Sequence, residues 1–293
     1  MEKIIIRSGF GHEIGAAAVA KYYGVPLMVI PRKDNKDDYE KEADNIVRNI
    51  SFFNLRIEVV PFEKKDTVDG WDFVKDLTGR QIKDDFWKEF AKVVLTPTES
   101  VLDLPMYAKL RELKDAGYTI IGVATGKLVS DGLCGVTASQ QTLPFETFEF
   151  LREIAKDRKI VFVNLQHFSK VNDLDKVEAF EEYFMSVYTP GKTEHPEVFG
   201  VRGVPHKMYY HMFGMLDLVL AIAGTHTWYA ETMFPNLAIV NLFNLNGVEN
   251  WKAKEEAYRE VGRVYYSHGY NENTDLVKYS NEIKETVLSI LGE

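Results

Sequence analysis

The feature that most constrains the fold is a regular alternation of short apolar runs with longer amphipathic ones. Lys3-Ile4-Ile5-Ile6-Arg7 is β-branched, and an alanine-rich segment from Ile14 to Tyr23 follows it, closed by Gly24. Pro26 to Ile30 and Leu55 to Val60 have strand character. Between them, Asp37 to Phe52 sets Ala43, Ile46, Val47 and Ile50 at helical spacing. Strand, helix, strand, helix, strand in succession predicts parallel strands joined by crossover helices. A charged stretch, Glu63 to Glu89, then breaks the pattern. It resumes with strand Val93-Val94-Leu95, helix Leu104 to Ala116 and strand Thr119 to Ala124.

Thr125 to Leu143 is rich in Gly, Ser, Thr and Gln and has no period, which makes it the best linker candidate. Beyond it the alternation starts again. Phe145 to Lys156 reads as helix, Lys159 to Asn164 as strand, and Leu216 to Ala221 and Leu237 to Leu242 as apolar strands. Glu249 to Gly262 and Thr274 to Leu291 are expected to close the chain as helices. The expectation is an α/β protein with one domain at residues 1–135 and a second at 136–293.

Two turns follow apolar strands and carry chemistry-bearing side chains. The first is Ser8-Gly9-Phe10-Gly11-His12-Glu13, and the second is Gly224-Thr225-His226-Thr227. In open parallel sheets, ligands sit beyond the carboxyl ends of strands. The free N–H groups of a helix start suit phosphate oxygens, and two threonine hydroxyls would add to them. Lys170 and Gln166, beyond the Lys159–Asn164 strand, are further donor-binding candidates, and Glu231, one turn into the helix, could accept from a sugar or ribose. His12 and Glu13 form an imidazole–carboxylate pair apt for removing a hydroxyl proton. Against this, Glu13 could simply complement a helix dipole, and both turns could be structural. Gly9 and Gly11 supply G-x-G, but Gly15 falls one residue late for a dinucleotide fingerprint, which argues against a nicotinamide enzyme.

Composition narrows the partners. The net charge of −9 works against a broad nucleic-acid surface, while a small phosphorylated ligand needs only a few donors. No run approaches the roughly 18–20 apolar residues of a membrane span. The short first apolar run is not a signal-peptide core, and there is a single cysteine, Cys134, so the expected location is cytoplasmic.

The segment from Asp217 to Phe243 resembles the heptosyltransferase-like glycosyltransferases of the GT-B fold. Asp217-Leu218-Val219, Gly224, Ala230, Pro235 and Val240-Asn241-Leu242-Phe243 match that family's pattern. Ile4 to Glu13 looks like a variant of its opening strand and G-x-G-D turn, with His12 where the acidic residue is expected and Glu13 one step later. Ile222 and Ala223 replace the Asp and Thr before the glycine, and Thr227 falls at the family's His. The resemblance implies two tandem Rossmann-like domains facing a cleft, with the last helix packing back on the first domain. It also implies a metal-independent transfer, without a cofactor, from a nucleotide-sugar donor to a saccharide or other hydroxyl acceptor, with inversion of the sugar's configuration. The donor would lie on Gly224, Thr225, His226, Thr227, Lys170, Gln166 and Glu231. The acceptor would lie on Ser8, Gly9, Phe10 and Gly11, with His12 or Glu13 as base. Polysaccharide pyruvyl transferases share the layout and stay open as an alternative, as does a non-catalytic nucleotide or sugar-phosphate binder.

Overall fold

A computed structural model describes residues 3–7, 10–68, 105–124, 143, 145–165, 199–200, 213–223, 227, 230–231, 234, 236–245 and 251–292. The chain divides into two compact units. One comprises Met1–Thr98, Pro205–His211 and Glu231–Pro235, and the other Glu99–Val204, Met212–Ala230 and Asn236–Glu293.

The first unit holds a parallel sheet of β1 (Ile4–Arg7), β2 (Leu27–Ile30) and β3 (Ile57–Val59), in the order β1-β2-β3. Helix α1 (Phe10–Tyr23) connects the first two strands, and α2 (Lys36–Ile50) lies between the second and third. Ala16, Ala17 and Ala20 of α1 are fully buried, because methyl side chains let the helix approach the sheet closely. Gly24 takes a φ of +66° just past α1, a left-handed conformation that favours glycine. Asn35 caps α2 by accepting from the Asp38 N–H at 2.9 Å.

The second unit holds six parallel strands in the order β6-β5-β4-β7-β8-β9. They are β4 (Thr119–Ala124), β5 (Ile160–Asn164), β6 (Phe199–Gly200), β7 (Leu218–Ile222), β8 (Ala238–Asn244) and β9 (Tyr265–Tyr270). The flanking helices are α3 (Pro105–Asp115), α4 (Phe150–Ala155), α5 (Trp251–Glu260) and α6 (Leu276–Ile290). β7 and β8 are buried at every position, as expected of strands covered on both faces. Gly122 permits a close approach within β4, since a Cβ there would lie 2.6 Å from Leu216 Cδ1 and 2.7 Å from Leu165 Cδ1.

The strand Thr119–Ala124, assigned above to residues 1–135, corrects that division. It pairs with β5 and β7 and so sits in the middle of the second sheet. Its apolar residues are buried on both faces, and this is satisfied by neighbours from the second half of the chain. The linker candidate Thr125 to Leu143 lies almost wholly outside the described residues, as does Val93-Val94-Leu95.

The closing helix α6 differs from expectation as well. Tyr279, Ile283 and Val287 form its buried stripe and join Phe148, Leu151, Ile154, Leu220 and Leu242 in the core of the second unit. Ser280 Oγ donates to the Thr147 carbonyl at 2.9 Å, and Lys284 pairs with Glu153 at 2.6 Å. The helix therefore packs on its own sheet, where its apolar stripe meets a complementary apolar face. Val277, two residues beyond the capping residue Asp275, lies off that stripe and is 74% exposed.

Candidate functional site

The second sheet runs in the order 3-2-1-4-5-6 when its strands are counted along the chain, with β4 first. In this arrangement the strand order reverses between β4 and β7, and in open parallel sheets ligands sit beyond the carboxyl ends of the strands at such a point. β7 ends at Ile222 and leads straight into Gly224-Thr225-His226-Thr227. Gly224, Thr225 and His226, together with Gln166 and Lys170, lie outside the described residues. Thr227, Ala230 and Glu231 have helical backbone, in line with a helix beginning at this turn.

Thr227 is only 1% exposed and Glu231 2%. Both side chains are interior and both have interaction partners. Neither side chain faces bulk water. Arg263 fastens this segment to the sheet. Its Nη2 donates to the Ala230 carbonyl at 3.2 Å, and its guanidinium lies 4.6 Å from the centre of the Tyr258 ring. Tyr258 in turn stacks on Tyr265 of β9 at 4.9 Å.

The residue that opens the β7 pattern, Asp217, serves the opposite end of the strand. Its Oδ2 accepts from the Ile120 N–H at 2.8 Å, and its Oδ1 pairs with Lys114 Nζ at 3.1 Å. Lys114 also donates to the Met215 carbonyl at 3.0 Å. Asp217 thus joins β7 to β4 and α3 at the amino edge of the sheet.

In the first unit, α1 begins at Phe10, four residues earlier than the sequence reading placed it. Phe10 and Gly11, expected in an acceptor-side loop, are instead helical, and His12 and Glu13 fall in the first turn. A helix start tolerates Gly11 and gains from an acidic residue near its positive end. Glu13 is 5% exposed and has interaction partners. For His12 only the backbone position is described, and Ser8 and Gly9 lie outside the described residues. Other carboxyl-edge segments of this sheet are tied together. Arg7 Nη2 donates to the Lys65 and Val68 carbonyls at 3.1 and 3.3 Å, and Lys65 Nζ donates to the Lys33 carbonyl at 3.1 Å.

A buried polar network was missed from sequence. Glu255 of α5 accepts from Ser267 Oγ at 2.6 Å, from Ser267 N–H at 3.0 Å and from Lys252 Nζ at 2.9 Å. Burial by itself would raise the Glu255 pKa, but these hydrogen bonds and the Lys252 charge outweigh it and hold the carboxyl below its ordinary range. The only sequence signal was a glutamate on the otherwise apolar face of an amphipathic helix. Among the described residues, no group of three or more His, Cys, Asp or Glu could hold a metal ion, and no helix is long and apolar enough to cross a membrane.

No protein-family model matches the sequence. No curated protein matches it either. Among solved structures, the chain is similar to E. coli ADP-heptose LPS heptosyltransferase II, at a TM-score of 0.44 and 10% identity over 99% of this chain and 98% of that one. It is similar to a trehalose-6-phosphate synthase at a TM-score of 0.34 and 13% identity, over 98% of this chain and 69% of that one. A wall teichoic acid polymerase follows at 0.27 and 11%, over 99% and 83%. At these scores the likeness carries no weight on activity, which is argued from this chain's own residues.

Proposed function

We propose that the protein transfers a glycosyl group from a nucleotide-sugar donor to a hydroxyl acceptor. The observation that carries this reading is the strand order of the second sheet, whose switch point lies at the end of β7 and therefore at the Gly224–Thr227 turn. The donor's diphosphate would sit against the N–H groups of that turn, with Thr225, His226 and Lys170 stabilising the leaving phosphate without calling on a metal ion. Thr227 would support the turn from inside, Gln166 would add a polar contact, and Glu231 is the candidate partner for a ribose or sugar hydroxyl. His12 or Glu13, in the first turn of α1, would take the proton from the acceptor hydroxyl as it attacks the anomeric carbon. His12 is favoured, because an ordinary imidazole titrates near neutral pH. Attack opposite the leaving group would invert the sugar's configuration.

The test combines thermal shifts with turnover. Nucleotide-sugars or nucleoside diphosphates should raise the melting temperature of the wild-type chain in a concentration-dependent way. Thr225→Ala should weaken that shift. His12→Ala should leave it intact while slowing transfer by about 10²–10⁴-fold, the usual worth of a general base. A panel of nucleotides that leaves the melting temperature unmoved would overturn the proposal.

A further inference from the structure

One face of the second sheet holds polar groups that its structure does not use. Val240 and Leu242 point into the apolar core beside α6. Strand alternation therefore puts Asn241 on the opposite face, with Phe243. Register places Asn241 between Ala221 of β7 and Ser267 of β9. Asn241 is 0% exposed, and among the described residues neither its Nδ2 nor its Oδ1 has a hydrogen-bond partner. Trp251, the first residue of α5, is 7% exposed, and its Nε1 has no partner among the described residues either.

The two residues share one neighbourhood. Trp251 packs against Phe243 with ring centroids 6.2 Å apart, and Phe243 is two residues from Asn241 on the same face. Ser267, the register partner of Asn241, has its hydroxyl 3.4 Å from the Trp251 carbonyl. Ser267 cannot donate to Asn241 Oδ1, because its hydroxyl proton is committed to Glu255 at 2.6 Å. Ala221 on the other side is apolar.

We infer that Asn241 and Trp251 form a buried subsite for a single O–H group. Such a group accepts from the Trp251 indole N–H and from Asn241 Nδ2, and it donates to Asn241 Oδ1. The donor and acceptor inventory fits this and little else. An ammonium has no acceptor for the indole, and a carboxylate has no proton for Oδ1. A water needs two to four polar partners, and this site offers three atoms. The same chemistry is offered by a hydroxyl of the transferred sugar. That second source rests on the glycosyl-transfer proposal, and the first does not.

The experiment is heteronuclear NMR on the full chain with ¹⁵N-labelled tryptophan. The chain has four tryptophans, so loss of one indole resonance in Trp251→Phe assigns the peak. In the water case, the Trp251 indole proton shows a cross-relaxation peak to a long-lived water in the ligand-free protein. In the substrate case, a nucleotide-sugar shifts that resonance while the corresponding nucleoside diphosphate does not. In both cases Asn241→Leu, which is close in size, shifts the Trp251 indole resonance because the shared O–H group is lost. Absence of nucleotide binding would overturn glycosyl transfer yet leave the water peak to support the subsite. An indole resonance with no water peak, unmoved by either ligand and by Asn241→Leu, overturns the inference.

Discussion

Replacing Glu255 by Gln should destabilise the second unit by about 2 kcal/mol at neutral pH. The carboxylate lies between α5 and β9, and its Oε2 takes all three short bonds, from Ser267 Oγ, Ser267 N–H and Lys252 Nζ. Its Oε1 takes only a longer bond from Arg259 at 3.4 Å. A glutamine would therefore place its oxygen at Oε2 and turn its NH₂ toward Arg259. The geometry survives, but the two Ser267 bonds become neutral ones and the Lys252 bond keeps only its ionised donor. A hydrogen bond to a charged group contributes roughly 1.5–3 kcal/mol and a neutral one about 1 kcal/mol. Lys252 is largely exposed, so its bond is discounted, and the two buried Ser267 bonds account for the estimate. Urea unfolding of wild type and E255Q at pH 7 measures the difference. The pH dependence supplies a second signature. The folded-state pKa of Glu255 is depressed, so its contribution is fully present above the ordinary glutamate value of 4.5 and is lost as pH falls through the folded value. The gap between wild type and E255Q should therefore close on acidification below about pH 4.5. A variant within 0.5 kcal/mol of wild type at pH 7, a span of roughly the size seen for neutral surface changes, would refute the reasoning.

Ile283→Ala should cost about 2–5 kcal/mol by leaving a cavity between α6 and the sheet, read as a lower urea midpoint. Arg263→Met keeps most of the side chain's length but loses the bond to the Ala230 carbonyl and the stacking on Tyr258. It should weaken nucleotide binding as well as stability, because it loosens the segment that follows the Gly224–Thr227 turn. Equal nucleotide affinity in wild type and variant would count against that coupling. His268 presents a pH effect of defined sign. Thr286 donates its hydroxyl proton to the Glu282 carbonyl, so His268 Nε2–H is the donor in their 3.0 Å bond. Burial, aided by Lys252, lowers the His268 pKa, so its contribution is complete above about 6.5 and is lost as pH falls from there toward the folded value. His268→Gln should flatten the change in urea midpoint between pH 7.5 and the folded value.

The alternation of apolar runs was legible because a strand covered on both faces has no polar face to confuse its signal. β7 and β8 were located to within two residues for that reason, and Gly24, read as the close of the first helix, adopts a left-handed φ of +66°. The sheet to which Thr119–Ala124 belongs was not legible. Its partners β5 and β7 lie far along the chain, and periodicity within a segment says nothing about its neighbours. Asp217 was read as part of a family pattern, and only the bond to the Ile120 N–H reveals its work at the amino edge. Glu231 and Glu255 were invisible as interior carboxylates, because composition assigns Glu to the surface and only coordinates reveal the partners that permit burial.

The clamp at Asp217 has a consequence for how this chain can change. β7 is five residues long, so the clamp at Asp217 lies about 16 Å from the strand's far end at ~3.3 Å per residue. The side-chain clamp on β7 acts at its amino end, and the Gly224–Thr227 segment follows its other end. If the proposed donor site is correct, substitutions between Gly224 and Thr227 should change nucleotide affinity while the sheet keeps its alignment. The same division makes Asp217 a poor target for altering specificity, although it is part of the most recognisable run of residues in the chain.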